Sequence, residues 1–138
     1  MVLSITVCTY NRVKFLELCL ESILNQTKNY KGIEINIIDN NSTDSTAKYI
    51  KELQKENLLI NYFLEKRQGI SYARNLATKV CNGKYLAFVD DDATINKSWL
   101  KALLNNTNNK LKNTIYGGPI YPRFEIEPPS WIDPKYFI

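Results

Sequence analysis

An α/β fold is predicted for this 138-residue chain by three observations. Short apolar, β-branched runs alternate with amphipathic helical stretches. The order they imply is βαβαβαβαβ, which favours a mostly parallel sheet. Several of the runs end directly on polar or acidic clusters, as strands do at the carboxyl edge of such a sheet. The expected architecture is a three-layer α/β/α sandwich forming one domain over residues 1–138, with a core over 1–113.

The first strand is expected at residues 2–8, where apolar and β-branched residues alternate. Thr9-Tyr10-Asn11-Arg12 follows it. Helix one covers about 13–25, with Leu16, Cys19, Leu20, Ile23 and Leu24 on one side. Strand two, 33–38, ends on Asp39-Asn40-Asn41-Ser42-Thr43-Asp44, in which Ser42 or Thr43 is a natural N-cap for a second helix running to about residue 55. Strand three is expected at 58–64. After Glu65-Lys66-Arg67-Gln68-Gly69, helix three buries Ile70, Ala73, Ala77, Val80 and Cys81.

The turn pair Asn82-Gly83 introduces strand four, the apolar run 85–89 that stops on Asp90-Asp91-Asp92. If extended geometry continues through the triplet, Asp90 and Asp92 share one side and Asp91 takes the other. Hard oxygen ligands on one side suit Mg²⁺ or Mn²⁺. A solvated loop is the plainer reading, but three adjacent carboxylates with no spacer repel one another unless a cation compensates. An EF-hand loop is excluded, because counting from Asp90 puts Ile95 at the glycine position and Lys101 at the bidentate glutamate position. A helix starting at Asn96 or Ser98 follows, running through Trp99, Leu100, Leu103 and Leu104. An Asn/Lys-rich linker spans 105–113, and a fifth strand is expected at 114–116. Prolines 122, 128, 129 and 134 then oppose regular structure, so the tail reads as an extended loop.

Composition narrows the function classes. Hydrophobic content of 44% and charge of 23% are those of a soluble globular protein. Net charge is +4 with the basic residues scattered, and zinc-finger spacing is absent, so nucleic acid is not an expected partner. Three cysteines, Cys8, Cys19 and Cys81, sit in apolar patterns and read as reduced thiols. No apolar run approaches the roughly 20 residues of a membrane span, so a cytoplasmic location is expected. Histidine is lacking, which leaves acid and base chemistry to carboxylates, Lys or Tyr.

Four stretches in register carry a family resemblance: Ser4-Ile5-Thr6-Val7-Cys8-Thr9-Tyr10-Asn11-Arg12, Ile38-Asp39-Asn40-Asn41-Ser42-Thr43-Asp44, Gly69-Ile70-Ser71-Tyr72-Ala73-Arg74-Asn75, and Phe88-Val89-Asp90-Asp91-Asp92. Over about residues 3–120 the chain resembles the nucleotide-sugar-binding half of a family 2 glycosyltransferase with the Rossmann-like GT-A fold. One departure is Asn40-Asn41, where that family usually has Asp-Gly; it alters the turn and keeps Asp39. The resemblance implies that Thr9, Tyr10, Asn11, Arg12 and Asn41 line the nucleotide pocket. It further implies that Asp39 accepts a hydrogen bond from the base, a charge-assisted contact for the N3–H of uracil, the plainer alternative being a cap within its own loop. Gly69 lets the backbone turn close to the ligand. Arg74 meets a phosphate or, preferably, pairs with Asp90.

The acidic triplet matches the family's DXD motif, which implies Asp92 as direct metal ligand, Asp90 as a more structural one, and Asp91 facing the ribose. The implied chemistry is metal-dependent, inverting transfer from a UDP-sugar or related donor to a glycan, lipid-linked or protein acceptor, as in polysaccharide biosynthesis. In the family the catalytic base lies beyond the Gly-Gly strand, and nothing in 121–138 supports assigning Glu125, Glu127 or Asp133 to that role. The chain is therefore expected to be the N-terminal part of a longer enzyme, which could associate peripherally with the inner face of the membrane. The alternative is a nucleotide-binding module without catalysis. Trp131 and its aromatic neighbours are expected to belong to an acceptor loop or, preferably, to cover the sheet edge. A phospho-acceptor receiver domain is disfavoured, because the position after strand one is Thr9-Tyr10-Asn11 and not a carboxylate cluster. Other nucleotidyltransferases would want a Gly-rich basic loop there.

Overall fold

Four strands, β1 (Leu3–Thr9), β2 (Ile33–Asp39), β3 (Ile60–Leu64) and β4 (Tyr85–Asp90), alternate with α1 (Val13–Thr27), α2 (Thr46–Glu56), α3 (Ile70–Val80) and α4 (Trp99–Thr107) in a computed structural model describing residues 2–107 and 114–132. The strands form a single sheet in the order β3-β2-β1-β4, parallel throughout. The register levels their carboxyl ends, with Thr9 opposite Asp39, Asp39 opposite Leu64, and Cys8 opposite Asp90. That levelling brings the polar clusters after β1, β2 and β4 to one edge.

Alternation along the strands separates two unlike faces. On one, Leu3, Ile5 and Val7 of β1 and Ile33, Ile35 and Ile37 of β2 are buried beneath α1, with Ile50 of α2 and Leu100 of α4 closing the cluster. Each such side chain contributes about 1.5–3 kcal/mol by leaving water, so this face carries most of the stability. The other face is smaller. There Ile38 packs on Ala73 and Ala77 of α3, whose short side chains let the helix lie close.

At the amino-terminal end of the α3 face the pattern turns polar and is satisfied internally. Glu34 Oε1 accepts hydrogen bonds from the Ser4 hydroxyl (2.5 Å), the Asn82 backbone N–H (2.6 Å) and Asn36 Nδ2 (3.2 Å). Burial raises the Glu34 carboxyl, but these bonds outweigh it and hold it below its ordinary value. Asp44 is lowered for the same reasons, burial being overcome by hydrogen bonds from Thr46 and Val13. The stability from both is full above the unfolded-state carboxylate range of about 4 and is lost as pH falls through the depressed folded values. Urea titrations should show stability falling between about pH 5 and 3, and Glu34→Gln should flatten part of that fall.

Several expected boundaries shift. Helix two begins at Thr46, with Ser45 and not Ser42 or Thr43 at the N-cap position; Ser45 makes no side-chain capping bond, and Asp44 Oδ1 accepts the Thr46 N–H (3.0 Å) instead. β3 starts at Ile60, leaving Leu58 98% exposed. α4 absorbs 105–107 of the expected linker, and 108–113 lie outside the described residues. The fifth strand at 114–116 does not form: residues 114–132 hold neither strand nor helix, and Ile115 is exposed. Strand propensity over three residues does not by itself make a strand. Trp131 stands 81% exposed, so it does not cover the sheet edge.

Candidate functional site

Two loops interlock above the carboxyl ends of β1 and β2. Asn11, in the left-handed region at φ 53°, turns its Oδ1 to accept the backbone N–H groups of Thr43 (2.7 Å) and Asp44 (3.2 Å), while its own N–H donates to Ser42 Oγ (3.0 Å). Asp44 Oδ2 accepts the Val13 N–H (3.2 Å), capping α1 from the neighbouring loop. Asn41 also lies in the left-handed region, at φ 67°. Asparagine tolerates that conformation better than other residues with a Cβ, so Asn41 supports the sharp turn that glycine makes elsewhere in such motifs.

A cleft of about 530 Å³ opens beside this clasp, lined by Cys8, Thr9, Tyr10, Arg12, Asn40, Gln68, Gly69, Ile70, Ala73 and Asp91. The amino terminus of α3 faces it, and Gly69, at φ 134°, turns the chain into that helix. Such a φ strains any residue with a Cβ, which explains the glycine. Unsatisfied N–H groups of a first helical turn favour an anionic ligand. Burial pushes the Cys8 thiol up to about 11 and Cys19 to about 12, so neither is a thiolate near neutral pH. The thiols are free as expected, although Cys8 and Cys81 are only half-buried.

The carboxylate triplet does not alternate as expected. The strand ends at Asp90, and the Ala93 N–H donates to the Asp90 carbonyl (3.0 Å), closing a turn that re-aims the next two side chains. Asp90 pairs with Arg74 (3.3 Å), the preferred of the two readings for that arginine. Asp91, buried, accepts the Thr9 hydroxyl (2.8 Å) and Arg12 Nη1 (3.4 Å), and the same nitrogen donates to Asp92 (3.0 Å). Asp91 and Asp92 therefore share a cation, and Asp90 is held apart by another.

Among the expected site residues, Thr9, Tyr10, Arg12, Gly69 and Asp91 come together in the cleft, with Asp92 joined to them through Arg12. Asn11 and Asn41 build the clasp. Asp39 is placed inward: it is 1% exposed, and its oxygens accept the Ser42 N–H (2.8 Å) and the Tyr62 hydroxyl (2.8 Å). Tyr62 was not expected in this role, yet the β2–β3 register predicts it, since Tyr62 precedes by two residues the partner of Asp39.

Asn40 was also missed. Its Oδ1 accepts the Gly69 N–H (2.7 Å), and its Nδ2 donates to the carbonyls of Arg67 (2.7 Å) and Glu65 (3.2 Å). One side chain thus holds the whole 65–69 loop against β2. Asn40→Ala leaves these groups unpaired and should cost about 2 kcal/mol, read as a lowered urea midpoint, and should weaken ligand binding through the loosened Gly69 turn.

The sequence model for glycosyl transferase family 2 matches residues 4–133. A glucosyltransferase of Campylobacter jejuni, the GalNAc(5)-diNAcBac-PP-undecaprenol beta-1,3-glucosyltransferase, is 35% identical over 108 residues, 77% of this chain and 34% of its own. The fold matches that of S. aureus TarS 1-349 in complex with UDP, with a TM-score of 0.72 at 24% identity over 89% of this chain and 40% of the other. It also matches the mannosyltransferase PcManGT of Pyrobaculum calidifontis, in complex with GDP-Man and Mn²⁺, with a TM-score of 0.65 at 24% identity over 71% of this chain and 30% of that one. The chain spans less than half the length of the curated relatives it matches. With its four-stranded parallel sheet, its clasped loops and a family match over almost its full length, the chain belongs to glycosyl transferase family 2.

Proposed function

We propose that this chain forms the donor half of an enzyme that transfers a sugar from a nucleoside diphosphate, UDP before GDP or dTDP, to an acceptor hydroxyl with inversion and with help from Mn²⁺ or Mg²⁺. The observation that carries the reading is the cleft at the strand ends, where Thr9, Tyr10, Arg12, Gly69 and Asp91 meet under the amino terminus of α3. Arg12 and the first turn of α3 supply donors for a diphosphate, and a planar guanidinium suits two phosphate oxygens at once. The UDP and Mn²⁺ bound in the two structural neighbours support the ligand classes.

The carboxylates fit a hard divalent cation. Asp92 is 53% exposed beside the cleft, and its oxygens are the ligand type Mg²⁺ and Mn²⁺ take. In this reading the cation is held by one or two carboxylates plus the substrate's phosphates, the usual mode for Mg²⁺. When bound, the cation would neutralise the diphosphate as the sugar–oxygen bond breaks. Asp91 fixes the Thr9 hydroxyl and Arg12 at the cleft wall, and Arg74 holds Asp90 aside. Asp39 serves as base acceptor only if binding uncovers it, because at 1% exposure its carboxylate is otherwise spent on Ser42 and Tyr62.

The acceptor, a glycan, lipid-linked or protein hydroxyl, and the base that deprotonates it belong to parts of the longer enzyme to which no residue here is assigned. No helix among the described residues is long and apolar enough to cross a membrane. The longer enzyme is also proposed to be cytoplasmic, associated peripherally with the membrane. Calorimetric titration with UDP, GDP and dTDP, each with and without Mn²⁺, tests the donor site. Metal-dependent binding of UDP is the expected result; absence of binding by all three would overturn it.

A further inference from the structure

Arg12 occupies an unusual position. Its Nη1 reaches both Asp91 Oδ1 (3.4 Å) and Asp92 Oδ2 (3.0 Å), so one guanidinium nitrogen lies between two carboxylates that otherwise repel each other. The arginine is also half-exposed and lines the cleft. It is the first residue before α1, held there through its carbonyl, which accepts the Leu16 N–H (3.0 Å), so the side chain can swing without disturbing the helix. Asp91 has a second, buried anchor in the Thr9 hydroxyl and stays in place when the guanidinium leaves.

We infer that Arg12 is an internal counter-cation that competes with the divalent metal for the Asp91–Asp92 carboxylates and moves onto the donor's diphosphate when the metal arrives, so that metal and nucleotide bind cooperatively. This rests on the donor-site reading above and adds an order to it.

The electrostatics favour exchange over coexistence. A divalent cation at Asp92 would lie within a few ångströms of a guanidinium held to the same oxygen, and like charges at such separation repel strongly at the effective dielectric of a protein surface. Metal alone must therefore displace Arg12 into solvent, giving up its two carboxylate contacts with nothing in return. Metal arriving with a diphosphate gives the guanidinium a new anionic partner in the cleft that it already lines. Each ligand thus removes an obstacle to the other, and by linkage the coupling is reciprocal.

The exchange predicts opposite effects of one substitution on two affinities. Mn²⁺ binding, read from the loss of the free-ion electron paramagnetic resonance signal without nucleotide, should be about 10-fold tighter for Arg12→Gln than for the unchanged chain, equivalent to roughly 1.4 kcal/mol of released competition. UDP binding with saturating Mn²⁺ should be weaker for Arg12→Gln, and the factor by which UDP strengthens Mn²⁺ binding should shrink. Arg12→Lys, which keeps the charge but not the fork, should bind Mn²⁺ alone as weakly as the unchanged chain. A circular dichroism melt confirms that each variant is folded. If Arg12→Gln binds Mn²⁺ alone no more tightly than the unchanged chain while that chain binds UDP with Mn²⁺, the exchange is wrong and the donor site stands. If the unchanged chain binds neither UDP nor Mn²⁺, the donor-site reading fails and takes the exchange with it.

Discussion

Asp92→Ala is expected to weaken Mn²⁺-dependent UDP binding at least ~100-fold, since losing even an outer partner of a metal ligand costs 10–100-fold and Asp92 is proposed as a direct one. Its thermal and urea midpoints should stay close to those of the unchanged chain. Asp92 sits on the turn after β4, 53% exposed, and its ionic contact is with Arg12, itself 53% exposed. A pair exposed on both sides is worth about 0–1 kcal/mol, too little to move the fold. Asp91 should behave differently. It is buried, and Asp91→Ala strips the Thr9 hydroxyl of its partner, so a loss of about 1–3 kcal/mol should accompany the loss of binding. Paired calorimetry and urea unfolding of the two variants check the contrast. Equal destabilisation by both, or unchanged UDP binding by Asp92→Ala, would sink the site assignment.

That contrast could not be drawn from the sequence, and the reason is local. Period-two alternation groups Asp90 with Asp92 only while the chain remains extended, and the Asp90–Ala93 turn ends that one residue into the triplet. The order of strands and helices was legible because their apolar periodicities differ, and the buried apolar residues of α1 are those its spacing marked. Helix starts were less so, since the Val13 N–H at the start of α1 is accepted by Asp44, whose own N–H is accepted by Asn11, contacts that span 31 or more residues of sequence. The same holds for Asp39. Its base contact and its burial against Tyr62 differ by a strand pairing, and only the adjacency of β2 and β3 reveals the second. Residues 114–116 had strand propensity, and propensity alone does not make a strand.

At the other end of β4, Gly83→Ala should do the reverse of Asp92→Ala: lower stability sharply while sparing UDP affinity. Gly83 does not need positive φ; it needs room. A Cβ there would lie 2.5 Å from the Ser4 backbone nitrogen and 2.8 Å from the Leu3 carbonyl carbon, atoms of β1 that cannot rotate away. The start of β4 must move off β1 instead. That movement stretches the Tyr85 N–H to Val2 carbonyl bond (3.1 Å), the Gly83 N–H to Ser4 Oγ bond (2.8 Å), and the Asn82 contacts that satisfy buried Glu34. A loss of about 3 kcal/mol is the expected order, at the upper end for overpacking because backbone and a buried carboxylate are both involved. The carboxyl end of β4 is anchored separately, through the pairing of Cys8 with Asp90 and through Thr9 on Asp91, so UDP affinity measured well below the melting midpoint should change only a few-fold. An unchanged melting midpoint would show that β4 approaches β1 less closely than the structure places it. A binding loss as large as that of Asp92→Ala, in a variant still folded, would show that the two ends of the strand are one mechanical unit and that the donor site depends on the Glu34 network beneath it.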